Sequence, residues 1–501
     1  MRVVLLVLML ALSTVLAGCV SDDRVTDDTD EALLDPLVPE GLARHLPVPS
    51  FEPTIGITSS GAMFMTAGAG GRGPDMESVY RSTDQGRTWE DVTPNIAGAT
   101  NFPPNSNDPF LFVDRDTDRL YDFEMQGLSC NTLSYSDDEG KTWTIMPLGC
   151  TPTQGLQDHQ SIFASKPRAH DTIGYDNVLH YCVNRVADSA CAFSLDGGLT
   201  WGPMRPLVYD GVHDDRLASP PLPTEGVDPL WFVCSGLAAH GQSAPDGTIY
   251  LPRGDCGGIP TVAISKDDGL TWTHSIISTE VRTFNADGGV PYHEVSMAID
   301  EAGNAYATWK GEDRRVKFAQ SLDGGESWED AIDITPEGVN ITDFPTIAAG
   351  SEGRVAVAFI GTDAHNNKTY GEMEIDDDWH AWLVVGTELH TANATWYDVQ
   401  TTPADDPIAR GICGGTRCQA SGGGLGDFID IEIDAEGRPW AAFVDVCHDD
   451  CRAAQWIPEG SNTVNDKALA FVGTLRAGPA LRGELVALPV IVDGAIEDTT
   501  A

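Results

Sequence analysis

Ser82-Thr83-Asp84-Gln85-Gly86-Arg87-Thr88-Trp89 decides the fold, because the same pattern returns four more times. The later copies are Ser136–Trp143, Ser194–Trp201, Ser265–Trp272 and Ser321–Trp328. All keep Ser-x-Asp-x-Gly-x-(Thr/Ser)-Trp in register. The aspartates, Asp84, Asp138, Asp196, Asp267 and Asp323, lie 54, 58, 71 and 56 residues apart. A repeat at that period signals a propeller or another stacked array.

Each copy follows a short apolar run, such as Thr261-Val262-Ala263-Ile264, and ends in Trp and strand-like residues. That order reads as strand, tight turn, strand. The Asp carboxylate accepts bonds from backbone N–H groups a few residues on. The Gly supplies positive φ. The Trp buries a large area, expected between neighbouring sheets.

A second unit precedes the boxes: a polar or acidic residue, an apolar strand, a turn, then an aromatic-rich strand. It starts at Glu52, Asp108, Asp158, Gln242, His293, Asp343 and Asp427, the last two without the Trp-ended pattern. Seven such units predict an all-β, seven-bladed β-propeller of four-stranded blades, with six blades as the alternative count. The segment Ser50–Ile57 is expected to close the ring by pairing with the last blade.

The repeated pattern resembles the Asp box, or BNR repeat, of sialidase-like β-propellers. That resemblance implies a structural hairpin on the outer rim, so the five aspartates are read as structural. It also implies, for catalytic members, an arginine triad, a Tyr nucleophile with a Glu partner, and an acidic Asp. Arg44, in Ala43-Arg44-His45-Leu46-Pro47, is the nearest match to the family's first arginine, and the surrounding motif departs from the family pattern. Tyr292/Glu294 and Tyr370/Glu372 are each two apart, so each pair faces one side of a strand. They are the catalytic candidates. Arg253, Arg314, Arg410 and Arg417 are the arginines that loops could carry inward.

The seven units point to a second place for chemistry. Glu52, Asp108, Asp158, His159, His293, Asp343 and Asp427 stand at or near the starts of inner strands. If the blades align, they ring one mouth of the channel, where carboxylates raise one another's pKa or hold a cation such as calcium. Together with Arg253 and Arg314 they are the ligand-binding candidates.

Of the 501 residues, 1–19 read as a lipoprotein signal, with Arg2, an apolar run, and Leu16-Ala17-Gly18-Cys19 as a lipobox that lipidates Cys19. Residues 20–48 read as an acidic flexible tether, 49–485 as the propeller and 486–501 as a tail. Ten cysteines remain after Cys19, as sequence neighbours: Cys130/Cys150, Cys182/Cys191, Cys234/Cys256, Cys413/Cys418 and Cys447/Cys451. Local disulfides at these pairs agree with an oxidising, extracytoplasmic setting. The formal net charge of −46 excludes nucleic acid and anionic membrane surfaces as partners. The expected protein is a monomer, attached to the membrane by its N-terminal lipid alone. It binds a cell-surface glycan or protein, with an exo-α-sialidase or a purely structural propeller as the alternatives.

Overall fold

The computed structural model describes residues 37–67, 79–94, 109–126, 130–150, 157–185, 188–206, 239–254, 256, 258–283, 295–365, 367–368, 373, 376–411, 426, 428–447 and 468–492. All regular structure among them is β-strand, arranged in seven antiparallel sheets. The chain is a seven-bladed propeller, as the repeats predict.

Blade one is Ile55–Ile57, Met63–Thr66, Val79–Ser82 and Glu90–Asp91, counted outward from the axis. Blade two is Phe110–Asp114, Arg119–Gln126, Cys130–Ser136 and Thr144–Cys150. Blade three is Gln157–Ser165, Val178–Arg185, Asp188–Ser194 and Arg205–Pro206, and blade four is Gln242–Ser243, Ile249–Arg253, Thr261–Ser265 and Thr273–Ile276. Blade five is Val295–Ile299, Ala305–Lys310, Val316–Ser321 and Ile332–Asp333. Blade six is Ile341–Ala349, Val355–Thr362, Asp378–Thr387 and Thr395–Gln400, with Ala409–Arg410 added beside the third strand. Blade seven is Asp430–Ile433, Pro439–Asp445, Leu469–Ala477 and Glu40–Pro49.

The middle strands are packed on both faces, which is why they read as unbroken apolar runs. Val355–Thr362 is buried at every position. The outermost strands of blades one and five are exposed. Seven apolar clusters fill the seven interfaces between blades. The one between blades one and two, for example, joins Phe64 and Val79 to Leu111 and Leu120.

Ring closure corrects the expectation. Glu40–Pro49, not Ser50–Ile57, pairs with Leu469–Ala477 and completes blade seven. Ile55–Ile57 is instead the inner strand of blade one. Leu42, Leu46 and Val48 supply the reason: they pack on the apolar cluster shared by blades seven and one. The last nine residues assigned to a tether are therefore a blade strand. The other boundary moves too. Arg438 donates to the Pro489 carbonyl and Ile491 N donates to Arg476 O, so residues 486–492 belong to the blade-seven packing rather than to a tail.

The five Ser-x-Asp-x-Gly-x-(Thr/Ser)-Trp segments join third to fourth strands, on the face opposite the starts of the inner strands. Their geometry repeats. Thr88 N and Oγ1 donate to the two oxygens of Asp84 at 2.9 and 2.7 Å, Ser82 Oγ donates to Asp84 Oδ1, and Gly86 N donates to Ser82 Oγ. The residue before the Gly also takes positive φ: 62° at Gln85, 59° at Glu139, 58° at Asp268. Gly197 and Gly324 occupy that place in the Gly-Gly copies.

The turns also grip the preceding blade. Its side chains donate to turn carbonyls: Arg44 to Gln85, Arg81 to Glu139 at 2.7 Å, Tyr121 to Gly197 at 3.2 Å, Arg168 to Lys266 at 2.9 Å and Tyr250 to Gly324 at 3.1 Å. Trp143 Nε1 donates to Val92 O of blade one at 2.7 Å. Blade six lacks the motif, and there the Tyr306 hydroxyl of blade five bonds His390 Nε2 at 2.8 Å instead.

Candidate functional site

The inner strands of all seven blades enclose an axial cavity of about 250 Å³. Phe110, Phe112, Ile162 and Ile431 give it apolar walls, and Gln242, Ser296, Thr346 and Asp430 add polar groups. The end where the inner strands start is here called the upper mouth.

Three residues at this mouth hold positive φ without being glycine: Glu52 at 53°, His159 at 52° and Phe344 at 56°. All three are buried. His159 and Phe344 sit in β-bulges, where pairing shifts between Asp158 and Gln160 and between Asp343 and Thr346. A bulky residue in this backbone region is costly and persists where the surroundings over-determine it. Bulges of this kind re-aim side chains next to functional sites.

The bulge at His159 brings its ring into an aromatic group drawn from four blades. His159 and His240 stack at 5.8 Å, and each meets Phe428 edge-on, at 4.9 and 5.1 Å. Phe110 meets His240 edge-on at 4.6 Å. Burial first, and His159 second, push His240 down to about 3, so its imidazole is neutral across the physiological range. Its Nε2 is buried and has no hydrogen-bond partner among the described residues. His240 and Phe110 also line the axial cavity.

Other sequence-selected residues take structural partners. Asp343 forms a buried ion pair with Lys310, the two side chains 1% and 6% exposed. Glu52 packs on Gly426, where a Cβ would fall 2.6 Å from the Glu52 Cγ. Arg253 is fully buried and donates to Ser189 Oγ at 2.8 Å, which donates in turn to Asn184. Arg314 donates to the Lys368 carbonyl, and its own carbonyl accepts from Thr342 N. Arg410 pairs with Asp378 at 2.6 Å. Arg44, the match to a first catalytic arginine, lies on the outermost strand of blade seven and holds the Gln85 turn.

Asp158 pairs in register with Asn184. Asp108, Tyr292, His293, Glu294, Tyr370, Glu372, Arg417 and Asp427 lie outside the described residues. So do Cys19, Cys234, Cys413, Cys418 and Cys451. Of the cysteine pairs, Cys182 and Cys191 form a disulfide between neighbouring strands, as predicted. Cys130 stands opposite Cys150 in register, and Cys256 and Cys447 are each disulfide-bonded.

Sequence reasoning missed His240 and Phe110. No periodicity marks His240, which precedes a two-residue inner strand.

The chain is 25% identical over 358 residues to a sialidase of Micromonospora viridifaciens, covering 66% of this chain and 45% of that protein. It is 26% identical over 244 residues to a xyloglucanase of a Paenibacillus species, covering 39% of this chain and 23% of that protein. The chain is a seven-bladed propeller that resembles a sialidase in sequence over about two thirds of its length. It spans less than half the length of these curated relatives. Among solved structures it is similar to a GH74 enzyme of Niastella koreensis, at TM-score 0.45 and 15% identity over 81% of this chain and 53% of the other. A sialidase of Streptococcus pneumoniae matches at TM-score 0.39 and 13% identity, over 85% and 68% of the two chains. No protein-family profile matches the sequence.

Proposed function

We propose that this chain is a lipid-anchored, extracytoplasmic propeller that binds a glycan at the upper mouth. The observation that carries the proposal is His240: a neutral, buried imidazole whose Nε2 has no partner among the described residues, set between Phe110 and Phe428 at the edge of the axial cavity. A sugar presents hydroxyls to such a nitrogen and C–H faces to such rings. A cavity with apolar walls and a few placed polar groups is the general form of a small-molecule site, and 250 Å³ falls near the small end of that class, roughly 300–1,000 Å³. The names of the two curated relatives favour a glycan over a protein ligand.

Binding to an immobilised glycan panel tests the reading. Wild type should retain a defined subset, and His240→Ala should lose it while melting at the wild-type temperature. Equal retention by both would refute the site. Membrane anchoring is checked separately: Cys19→Ser should move the protein from the membrane to the soluble fraction.

The second reading is an exo-α-sialidase, favoured by the Micromonospora viridifaciens relative. Tyr292/Glu294 and Tyr370/Glu372 would supply its nucleophile and partner. Release of fluorophore from a sialoside by the purified protein, lost in Tyr292→Phe or Tyr370→Phe, would establish it in place of simple binding.

A further inference from the structure

The wall of the axial cavity is dominated by charge of one sign. Among the described residues, the charged side chains that line it are Asp114, Arg115, Asp116, Asp430 and Glu432. Arg115 of blade two is the cation of this set, and it is committed to blade seven. Its guanidinium donates to Glu432 Oε2 and, at 3.1 Å, to the Ile433 carbonyl. Asp116 pairs with Lys166 at 2.6 Å. Asp430 accepts from Ile55 N at 3.0 Å and from Ile431 N at 2.9 Å. Asp114, 3% exposed, accepts from the Tyr175 hydroxyl and from Asn177 Nδ2 at 2.9 Å, which are neutral donors, so its charge stays in the wall.

These carboxylates already have partners within the protein, so they do not call for a cation. What they do is set the sign of the field that a ligand meets, and the chain's net charge of −46 adds to that field. A sugar acid is recognised by a guanidinium fork aimed at its carboxylate. The described arginines that could have supplied one hold the protein's own groups: Arg253 holds Ser189, Arg314 the Lys368 carbonyl and Arg410 Asp378. The remaining polar groups of the wall are uncharged, the Gln242 amide and the hydroxyls of Ser243, Ser296 and Thr346. Together with the His240 imidazole, they match sugar hydroxyls. A ligand anion would bring a like charge into the cavity, and like charges juxtaposed are a strong means of rejecting a partner.

We propose that the glycan taken at the upper mouth is uncharged, and that the acidic wall of the axial cavity rejects sugars carrying carboxylate or sulfate groups. The inference rests on the glycan-binding reading of that mouth, and it counts against a sialoside as the ligand.

The test measures binding of matched ligands to the purified full-length protein. They are a neutral glycan retained on the panel, the same glycan with its terminal sugar oxidised at C6 to the uronic acid, and the methyl ester of that acid. Acid and ester are close in size, so charge is what separates them. The acid should bind at least about tenfold more weakly than the ester. Glu432→Gln should narrow that gap, because it removes one carboxylate and leaves the Arg115 guanidinium without its partner. Asp116→Asn, at a half-exposed residue, serves if Glu432→Gln does not fold. An acid bound as tightly as its ester, or a panel on which acidic glycans alone are retained, would overturn the proposal. A gap that stays the same in the variant would overturn it as well, since the discrimination would then arise outside the cavity. If the panel retains no glycan at all, the glycan-binding reading itself fails and this inference falls with it.

Discussion

Two adjacent aspartates in the fourth repeat make opposite demands on the structure. Asp267 belongs to the repeated pattern and serves its own hairpin, accepting from Thr271 N, Thr271 Oγ1 and Ser265 Oγ. Asp268 occupies a variable position, yet its side chain is fully buried. It accepts from Arg168 N at 2.9 Å, Ala169 N at 2.7 Å, His170 N at 3.0 Å and His170 Nδ1 at 3.0 Å. Its carboxylate thus gathers three successive backbone N–H groups of blade three. Asp268→Ala strands those donors, and each buried unsatisfied group costs about 1–3 kcal/mol. Some water will enter, so the net loss should be about 3–5 kcal/mol. Asp267→Ala strands one backbone donor on a partly exposed hairpin and should cost about 1 kcal/mol. Urea unfolding followed by tryptophan fluorescence measures both, read as midpoint shifts at an unchanged slope. An Asp268→Ala loss no larger than the Asp267→Ala loss would refute the view that the repeats act chiefly as clasps between blades.

Further outcomes follow from the same geometry. Lys310→Met removes the buried cation paired with Asp343 and should cost about 3–5 kcal/mol in urea unfolding, largely recovered when Asp343→Asn is added. The carboxylates of the repeats are held below the usual range. At Asp138 burial opposes the lowering, and bonds from Thr142 and Ser136 outweigh it. At Asp323 the bonds from Ser327 lead. Folded values below unfolded ones mean that this stabilisation is present above the ordinary carboxylate range and is lost as pH falls through the folded values. The stability gap between wild type and Asp138→Asn should therefore be flat from pH 8 to pH 5 and shrink below about pH 4. His390→Ala removes the contact that stands in for the missing repeat of blade six, and should lower the melting temperature more than His274→Ala, whose histidine lies on the outer strand of blade four.

Much of the architecture was legible in the chain because it rests on local physics. A Gly needed for positive φ, a carboxylate that closes a turn on its own backbone, and a Trp at fixed spacing recur wherever a third strand turns into a fourth. Blade number follows from counting those turns together with the apolar strands before them. Cys182 and Cys191 lie nine apart across one strand turn, so their pairing was local too.

What the sequence by itself determined is therefore the repeated hairpin and, through it, the wheel. Tertiary structure alone decided which strand closes the ring, because Glu40–Pro49 finds its partner more than 400 residues away. It alone assembled His159, His240, Phe110 and Phe428 at the axis, from blades separated in sequence, and paired Asp343 with Lys310. A turn is specified within eight residues, whereas a site at the hub depends on where seven separate strands meet, and no local pattern encodes that meeting.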